Sequence, residues 1–318
     1  MKDNKIPLLA VVGPTASGKT RLGVELCKAF DGEVISADSM QIYSEMPIAT
    51  AVPSLDERQG VPHHLMEILK PVDTFSVADY VNLAHKTISE IYRRGKLPVL
   101  VGGTGLYVNS LIDNIQFLPE PVDLKLRERL QKELEQMGEE HMLEKLRAVD
   151  PKSAMRLHKN NRRRVIRALE IYELTGKTIQ EIEMASRSMP SPYNVCMIGL
   201  TFSDRELLYD RIRRRVDIML ENGLLEEARS TLENSCGGGA QAIGHKELHK
   251  YFKGELELAE AVQLLKSETC RYAKRQLTWF RRDERINWIE CDRVDDITRA
   301  ALEIMKEAKF DDRLTQSN

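Results

Sequence analysis

Long apolar runs are missing from this chain. No stretch nears the ~20 consecutive apolar residues that a membrane-spanning helix needs, and Met1-Lys2-Asp3-Asn4-Lys5 leads straight into a short apolar segment without a targeting pattern. The expectation is a cytoplasmic protein with no membrane partner. Cysteine is scarce as well: Cys27, Cys196, Cys236, Cys270 and Cys291 are scattered and form no Cys-x-x-Cys pair. That usage fits reduced thiols and gives no zinc framework. Internal repeats are absent. So is any overall excess of one charge, because 47 Lys+Arg against 49 Asp+Glu leave a net charge of −2. What remains, 318 residues with 42% hydrophobic and 30% charged content, describes a globular chain able to bury one large core or two modest ones.

The distribution of charge says more than its sum. From residue 151 to residue 170, Lys152, Arg156, Lys159, Arg162, Arg163, Arg164 and Arg167 face a single acid, Glu170. A second basic run, Arg271, Lys274, Arg275, Arg281, Arg282 and Arg285, comes late in the chain and interleaves with Tyr272, Trp279 and Phe280. A charge run is often a solvated face, and part of the late segment reads as helix core. Local patches nevertheless steer polyanions even when the whole molecule is near neutral, and the first run is poorly self-neutralised.

The stretch Gly13-Pro14-Thr15-Ala16-Ser17-Gly18-Lys19-Thr20 fills the pattern Gly-x-x-x-x-Gly-Lys-[Ser/Thr] without a misfit. Residues 6–12 before it read as a buried strand, and residues 21–30 after it place Leu22, Leu26 and Phe30 at helical spacing. Strand, glycine loop and helix together identify a P-loop. Its backbone N–H groups and the following helix N-terminus converge on phosphate oxygens, Lys19 adds a point charge, and the Thr20 hydroxyl offers a contact to magnesium. The loop holds a di- or triphosphate. Which one is not written in it.

Further along, residues 32–37 form a second strand ending at Asp38-Ser39-Met40-Gln41. Residues 42–74, with four prolines, read mostly as loop with one short helix. A helix over 77–94 with Gly95 at its C-terminal end precedes a third strand, 97–101, closed by Gly102-Gly103-Thr104-Gly105. Helices follow over 124–137, 141–149 and 161–174. A strand over 195–201 leads to a helix capped by Asp204, with Leu207, Leu208, Ile212, Val216, Met219 and Leu220 on one face. After the loop Gly237-Gly238-Gly239 come another helix, a long helix over 256–278 and a late strand over 286–289.

This order predicts an α/β fold of the P-loop NTPase-like type: a parallel sheet flanked by helices, with an inserted all-helical domain. The core takes residues 1–115 and 195–318, and the insertion takes 116–194. Ligands of such sheets bind beyond the carboxyl ends of the strands, so the P-loop, Asp38 and Gly102-Gly103-Thr104 share one edge.

Asp38 at that edge is either a helix cap or a carboxylate that binds magnesium through water or accepts a proton. Gly102-Gly103-Thr104-Gly105 is a strand-to-helix turn or a close approach of backbone to ligand. The third strand ends without an acid, which tells against an ordinary ATPase. His63 and His64 are adjacent, point in different directions and lack a spaced acidic partner, a weak basis for metal. Arg211 and Arg215 share a helix face that is solvated or reaches one anion.

Seven stretches resemble bacterial tRNA dimethylallyltransferases: residues 13–20, Asp38-Ser39-Met40-Gln41, Gly60-Val61-Pro62-His63-His64-Leu65, Gly102-Gly103-Thr104-Gly105-Leu106-Tyr107, Arg167-Ala168-Leu169-Glu170, Ala242-Ile243-Gly244-His245-Lys246-Glu247 and Ala273-Lys274-Arg275-Gln276. They keep the family's order over nearly the whole chain. Ala49, Val52 and His245 depart from it, standing where Gly, Lys and Tyr are usual, and with five scattered cysteines no zinc finger like that of the eukaryotic members is expected.

The resemblance implies transfer of a dimethylallyl group from dimethylallyl diphosphate to N6 of adenosine-37 in a tRNA anticodon loop, by a monomer using Mg²⁺. It implies that residues 13–20 (Gly13, Pro14, Thr15, Ala16, Ser17, Gly18, Lys19, Thr20) hold the diphosphate, with Arg211 or Arg215 adding charge there, and that Thr20 also meets the magnesium. Asp38 is then the proton acceptor, and Thr15 and Thr104 hold the reacting ends together. The insertion becomes the tRNA-binding domain. By the same resemblance, tRNA contact falls to Asp38, Ser39, Met40, Gln41, Thr104, Arg127, Arg163, Arg164, Val165, Ile166, Arg167, Lys246, Arg271, Lys274 and Arg275. A small-molecule kinase, a nucleotide-sensing RNA-binding switch and a prenyltransferase acting on free nucleotides share parts of this pattern.

Overall fold

The computed structural model describes residues 5–117, 123–232, 238–239, 242–308 and 310. Cys236 and Gly237, two positions noted in the sequence, lie outside them. The chain divides into two compact units, one formed by Met1–Ile112 with Pro192–Asn318 and the other by Asp113–Ser191.

The first unit is built on a six-stranded sheet. Its strands are β1 (Ile6–Val12), β2 (Gly32–Ser36), β3 (His63–His64), β4 (Leu97–Gly102), β5 (Tyr193–Thr201) and β6 (Ile286–Glu290), in the order β3-β2-β4-β1-β5-β6. Every pairing is parallel. Central β1 sets Leu9 against Val99 of β4 on one side and against Cys196 of β5 on the other.

Side chains on a strand alternate between faces, and both faces of this sheet are covered. Leu8, Ala10, Val12, Ile35 and Leu100 pack with α3 (Val77–Arg93) and α4 (Gly105–Ile112). Leu9, Val11, Val34, Val99 and Ile198 pack with α1 (Lys19–Ala29) and α13 (Ile297–Glu307). Central β1 and β4 therefore read as unbroken apolar runs.

Two differences from the sequence expectation have local causes. The strand expected third is fourth, because the two-residue β3 pairs with Val34 and Ile35, too short a segment to show a period and preceded by Pro62. The short helix of the loop region is α2 (Leu55–Arg58), with a capping box between Ser54 and Glu57. Leu207, expected on a buried face of α9 (Arg205–Glu221), is 45% exposed, and Leu208, Ile212 and Val216 carry that face instead. Asp204 does cap α9, accepting the Glu206 N–H. The unit is completed by α10 (Leu224–Ser230), α11 (His245–Phe252) and α12 (Leu258–Phe280).

The second unit is helical: α5 (Leu124–Val149), α6 (Pro151–Arg156), α7 (Arg162–Thr175) and α8 (Ile179–Ser186). The two helices expected over 124–149 are one element with a break at Gly138, whose φ of 81° is left-handed. Asp150 ends α5 and caps α6, where Pro151 sits in the first turn. Leu130, Met142, Leu146, Val165 and Leu169 form its core.

Candidate active site

The strand ends bring the chemistry together. β1 runs into the glycine loop, where Gly13 turns with φ of 143° and a Cβ there would lie 2.6 Å from the Leu200 carbonyl oxygen. Only glycine lets the loop pass that close to β5. α1 then starts at Lys19 behind Gly18. β2 delivers Asp38, and β4 ends in Gly102 and Gly103.

Beyond these ends lies a cavity of about 360 Å³. Thr15, Lys19, Thr20, Asp38, Ser39, Met40, Gln41, Gly103, Arg215, Lys246, Tyr272, Arg275 and Gln276 line its polar part, and Ile212, Val216, Met219, Ile243 and Leu265 give it an apolar wall. It joins a charged end to a greasy one, a form suited to an amphipathic substrate.

Two cations face the charged end. Lys19 folds over the loop, its Nζ 2.5 Å from the Pro14 carbonyl oxygen. Burial, reinforced by the neighbouring Arg215 and opposed by Asp38, brings the Lys19 ammonium down to about 7. Arg215 makes no hydrogen bond or ion pair with any described residue, and burial pulls it below the usual guanidinium range while Glu57 and Asp38 oppose the shift. Two adjacent, poorly neutralised cations draw an anion to this end of the cavity. Arg211, which shares a helix face with Arg215, goes elsewhere: its Nε donates to the Ala16 carbonyl at 2.9 Å and its guanidinium lies over the Phe202 ring.

Asp38 has both of the characters its position allows. Its Oδ1 accepts the N–H of Met40 at 2.9 Å and of Gln41 at 3.4 Å, fixing the turn. Its Oδ2 has no hydrogen-bond partner among the described residues. One oxygen shapes the loop and the other is available to the cavity.

Sequence reasoning missed several residues of this site. Gln276 is buried, accepts the Thr15 N–H with Oε1 at 2.9 Å and donates through Nε2 to the Gly103 carbonyl at 3.0 Å. It ties the glycine loop to the end of β4. A Cβ on Gly103 would come within 2.1 Å of that Nε2, so the glycine makes room for the amide. Tyr272 lies nearby, its phenol pushed above the usual range by burial. His63 lines the cavity too, and its Nδ1 is 2.8 Å from the Val61 carbonyl while its Nε2 is buried without a partner. The signal for Tyr272 was its place among the late basic residues; Gln276 also closes the stretch Ala273-Lys274-Arg275-Gln276, where only its neighbours were given a role.

Other expected residues take different places. Thr104 does not line the cavity. Its hydroxyl accepts the Ser39 N–H at 3.0 Å and so works through the turn after Asp38. Val165 and Ile166 are corrections: they are 2% and 8% exposed in the core of the second unit, so their side chains are closed to a partner. Arg127 grips Glu170 with two hydrogen bonds of 2.6 and 3.0 Å, and Arg167 reaches the same carboxylate at 3.3 Å. Arg163 and Arg164 are exposed and form no ion pair among the described residues. Arg271 pairs with Glu268 at 2.5 Å and Lys246 lies 3.5 Å from Glu247, whereas Lys274 and Arg275 are exposed on α12.

The described residues contain no group of three His, Cys, Asp or Glu side chains placed for a metal. His64 is engaged with Glu33 at 2.6 Å, and Glu33 with Arg94. The oxygens of Thr20 and Asp38 are still a fitting set for a hard divalent cation that keeps its waters and takes further ligands from a diphosphate.

The family model described as IPP transferase matches residues 41–283, and that described as isopentenyl transferase matches residues 6–72. The tRNA dimethylallyltransferase of Acetivibrio thermocellus is 48% identical over 91% of this chain and 93% of its own, and that of Halalkalibacterium halodurans 49% over 92% and 93%. Among solved structures, the tRNA isopentenylpyrophosphate transferase of Bacillus halodurans superposes with a TM-score of 0.70 at 45% identity, covering 96% of this chain and 98% of that one. A eukaryotic dimethylallyltransferase acting on tRNA gives 0.77 at 30% identity, covering 94% and 78%.

Proposed function

Because the chain belongs to the tRNA dimethylallyltransferase family and is thus a prenyltransferase, we propose that the cavity at the strand ends is where dimethylallyl diphosphate meets N6 of adenosine-37 of a tRNA. The observation that carries this reading is the meeting of Lys19, Arg215 and the open oxygen of Asp38 around one cavity with an apolar wall.

The chemistry needs each part. Adenine N6 is a weak nucleophile because its lone pair is delocalised into the ring. The allylic C–O bond must therefore be made easy to break. The departing diphosphate takes the two electrons of that bond, and Lys19, Arg215 and the N–H groups of the glycine loop stabilise its charge. The N6 lone pair forms the new C–N bond, and the proton it sheds passes to Asp38 Oδ2. Thr15 lines the same space, while Thr104 and Gln276 hold the turn and the loop at the right separation.

Magnesium is the divalent cation we assign. Thr20, with Asp38 through water, would hold it, and it would offset negative charge on the diphosphate. For tRNA, exposed Arg163 and Arg164 of the second unit and Lys274 and Arg275 of the first are the phosphate contacts. The adenine has to leave its stack to reach a cavity at this depth.

Asp38→Asn tests the reading. The amide still presents an Oδ1 to the Met40 N–H, so the turn survives. Prenyl transfer to an anticodon stem-loop should fall about a hundredfold or more, with affinity for a prenyl diphosphate analogue held within about threefold. A variant within about threefold of wild type in turnover would remove Asp38 as the base. Supplying labelled ATP in place of labelled dimethylallyl diphosphate separates this activity from phosphoryl transfer.

A further inference from the structure

One buried carboxylate–imidazole pair reaches the cavity through the backbone alone. The Glu227 carboxylate accepts the N–H of Ile48 with Oε2 at 2.8 Å and the N–H of Ala49 with Oε1 at 2.9 Å. The same Oε1 lies 2.8 Å from His245 Nε2, and the two side chains are 8% and 2% exposed. The other ring nitrogen of His245 is 3.0 Å from Thr231 Oγ1, so the imidazole is held at both ends.

The groups so fastened form two parts of one wall. Ala49, Thr50 and Ala51 line the cavity from the loop, and Ile243 and Lys246 line it beside His245. Gly244 lies between, where a Cβ would stand 3.5 Å from that of Ala49. Gln41 fixes the far end of the loop by donating to the Ala51 carbonyl at 3.0 Å. Glu227 touches nothing in the cavity. It decides where Ala49 sits.

We propose that the Glu227–His245 pair is a positioning device that sets the width of the apolar part of the cavity and thereby selects a five-carbon prenyl donor over longer ones. The inference rests on the reading of the cavity as the seat of the prenyl diphosphate. A carboxylate with three converging donors is strongly directional, and converting it to an amide turns one acceptor into a donor facing backbone N–H groups. The loop must then move, and the wall opens.

The experiment compares kcat and KM for dimethylallyl and geranyl diphosphate on an anticodon stem-loop. Glu227→Gln should shrink the preference for the shorter donor by about tenfold, mostly through KM, with kcat for the shorter donor within about threefold. His245→Leu should do the same, and His245→Gln, which keeps an N–H at similar reach, should restore most of the preference. If Glu227→Gln fails to fold, the two His245 variants decide alone. Equal losses for both donors, or a preference unchanged within about twofold alongside a lowered Tm, would leave the pair purely structural and overturn the proposal. Ala49→Val narrows the wall directly. If it alters KM for neither donor, the seat itself is misread, a failure distinct from that of the clamp.

Discussion

The Lys19 ammonium makes diphosphate binding depend on pH in a direction opposite to that of stability. With no anion bound, its pKa lies at about 7 against an ordinary 10.5. The unfolded chain therefore binds more protons than the native one between about 7 and 10.5, and the stability of the free protein rises with pH across that window. A bound diphosphate reverses the balance, since its negative charge favours the ammonium and draws the pKa back up. Association then takes up a proton. With the Lys19 pKa at about 7, most of its charge is lost by pH 8.5, so affinity should weaken by roughly an order of magnitude over that interval, on the order of 1–2 kcal/mol. Calorimetric titration of an unreactive thiolo analogue of dimethylallyl diphosphate, at fixed magnesium and in buffers of different ionisation enthalpy, gives both the affinity and the proton uptake. In Lys19→Arg the cation is charged throughout, so the same titration should be nearly flat apart from the ligand's own ionisation. Equal slopes in the two proteins would refute the claim that Lys19 titrates near neutrality.

Gln276→Leu strips the partners from the Thr15 N–H and the Gly103 carbonyl at once, each worth about 1–3 kcal/mol when buried, and should raise KM for the prenyl donor at least tenfold with the Tm as a control on folding. Arg163→Ala and Arg164→Ala should each weaken tRNA binding and lower the slope of log K against log salt by about 0.7 to 0.9 if the lost contact is one phosphate, measured by titration at several salt concentrations. Arg127→Ala behaves differently. It leaves Glu170, 3% exposed, without its bidentate partner, so the expected result is a loss of about 3 kcal/mol in the stability of the helical unit, seen in chemical denaturation, with no such change in salt slope.

The parts legible in the sequence are those where chemistry and local period coincide. The glycine loop shows a strand before it and a helical repeat after it, and Asp38 follows a strand of residues that are buried throughout. Parallel topology then places both at one edge without further information. Gln276 escapes such reading because its partner Thr15 is 261 positions away, and nothing local distinguishes it from neighbouring residues of a basic, aromatic helix. The link from Glu227 to the loop spans 178 and 179 positions and is hidden for the same reason. Val165 and Ile166 mark the opposite error. They lie within a run of arginines that reads as one surface, yet a helix turns 100° per residue, so two of five consecutive positions face the core.

The same geometry sorts arginines that look equivalent in the sequence. Arg162 pairs with Glu139, both partly open to water, and Arg213 with Glu206 and Asp210 on an exposed helix face. Pairs of that kind contribute about 0–1 kcal/mol and exchange readily, so Arg162 remains available to a competing phosphate. Arg127 does not, because releasing it leaves the buried Glu170 carboxylate with only the longer contact to Arg167. Arg215 is the third case: it forms no ion pair or hydrogen bond with a described residue, and the carboxylates of Glu57 and Asp38 act on it only at longer range. Where a cation is retained without an internal partner, its neutralisation must come with the ligand, and affinity for an anion is the direct consequence. The P-loop pattern alone points to a phosphate, and the proposed prenyl diphosphate adds to it a use for Arg215 and for the apolar side chains of Ile212, Val216, Met219, Ile243 and Leu265 in the same cavity.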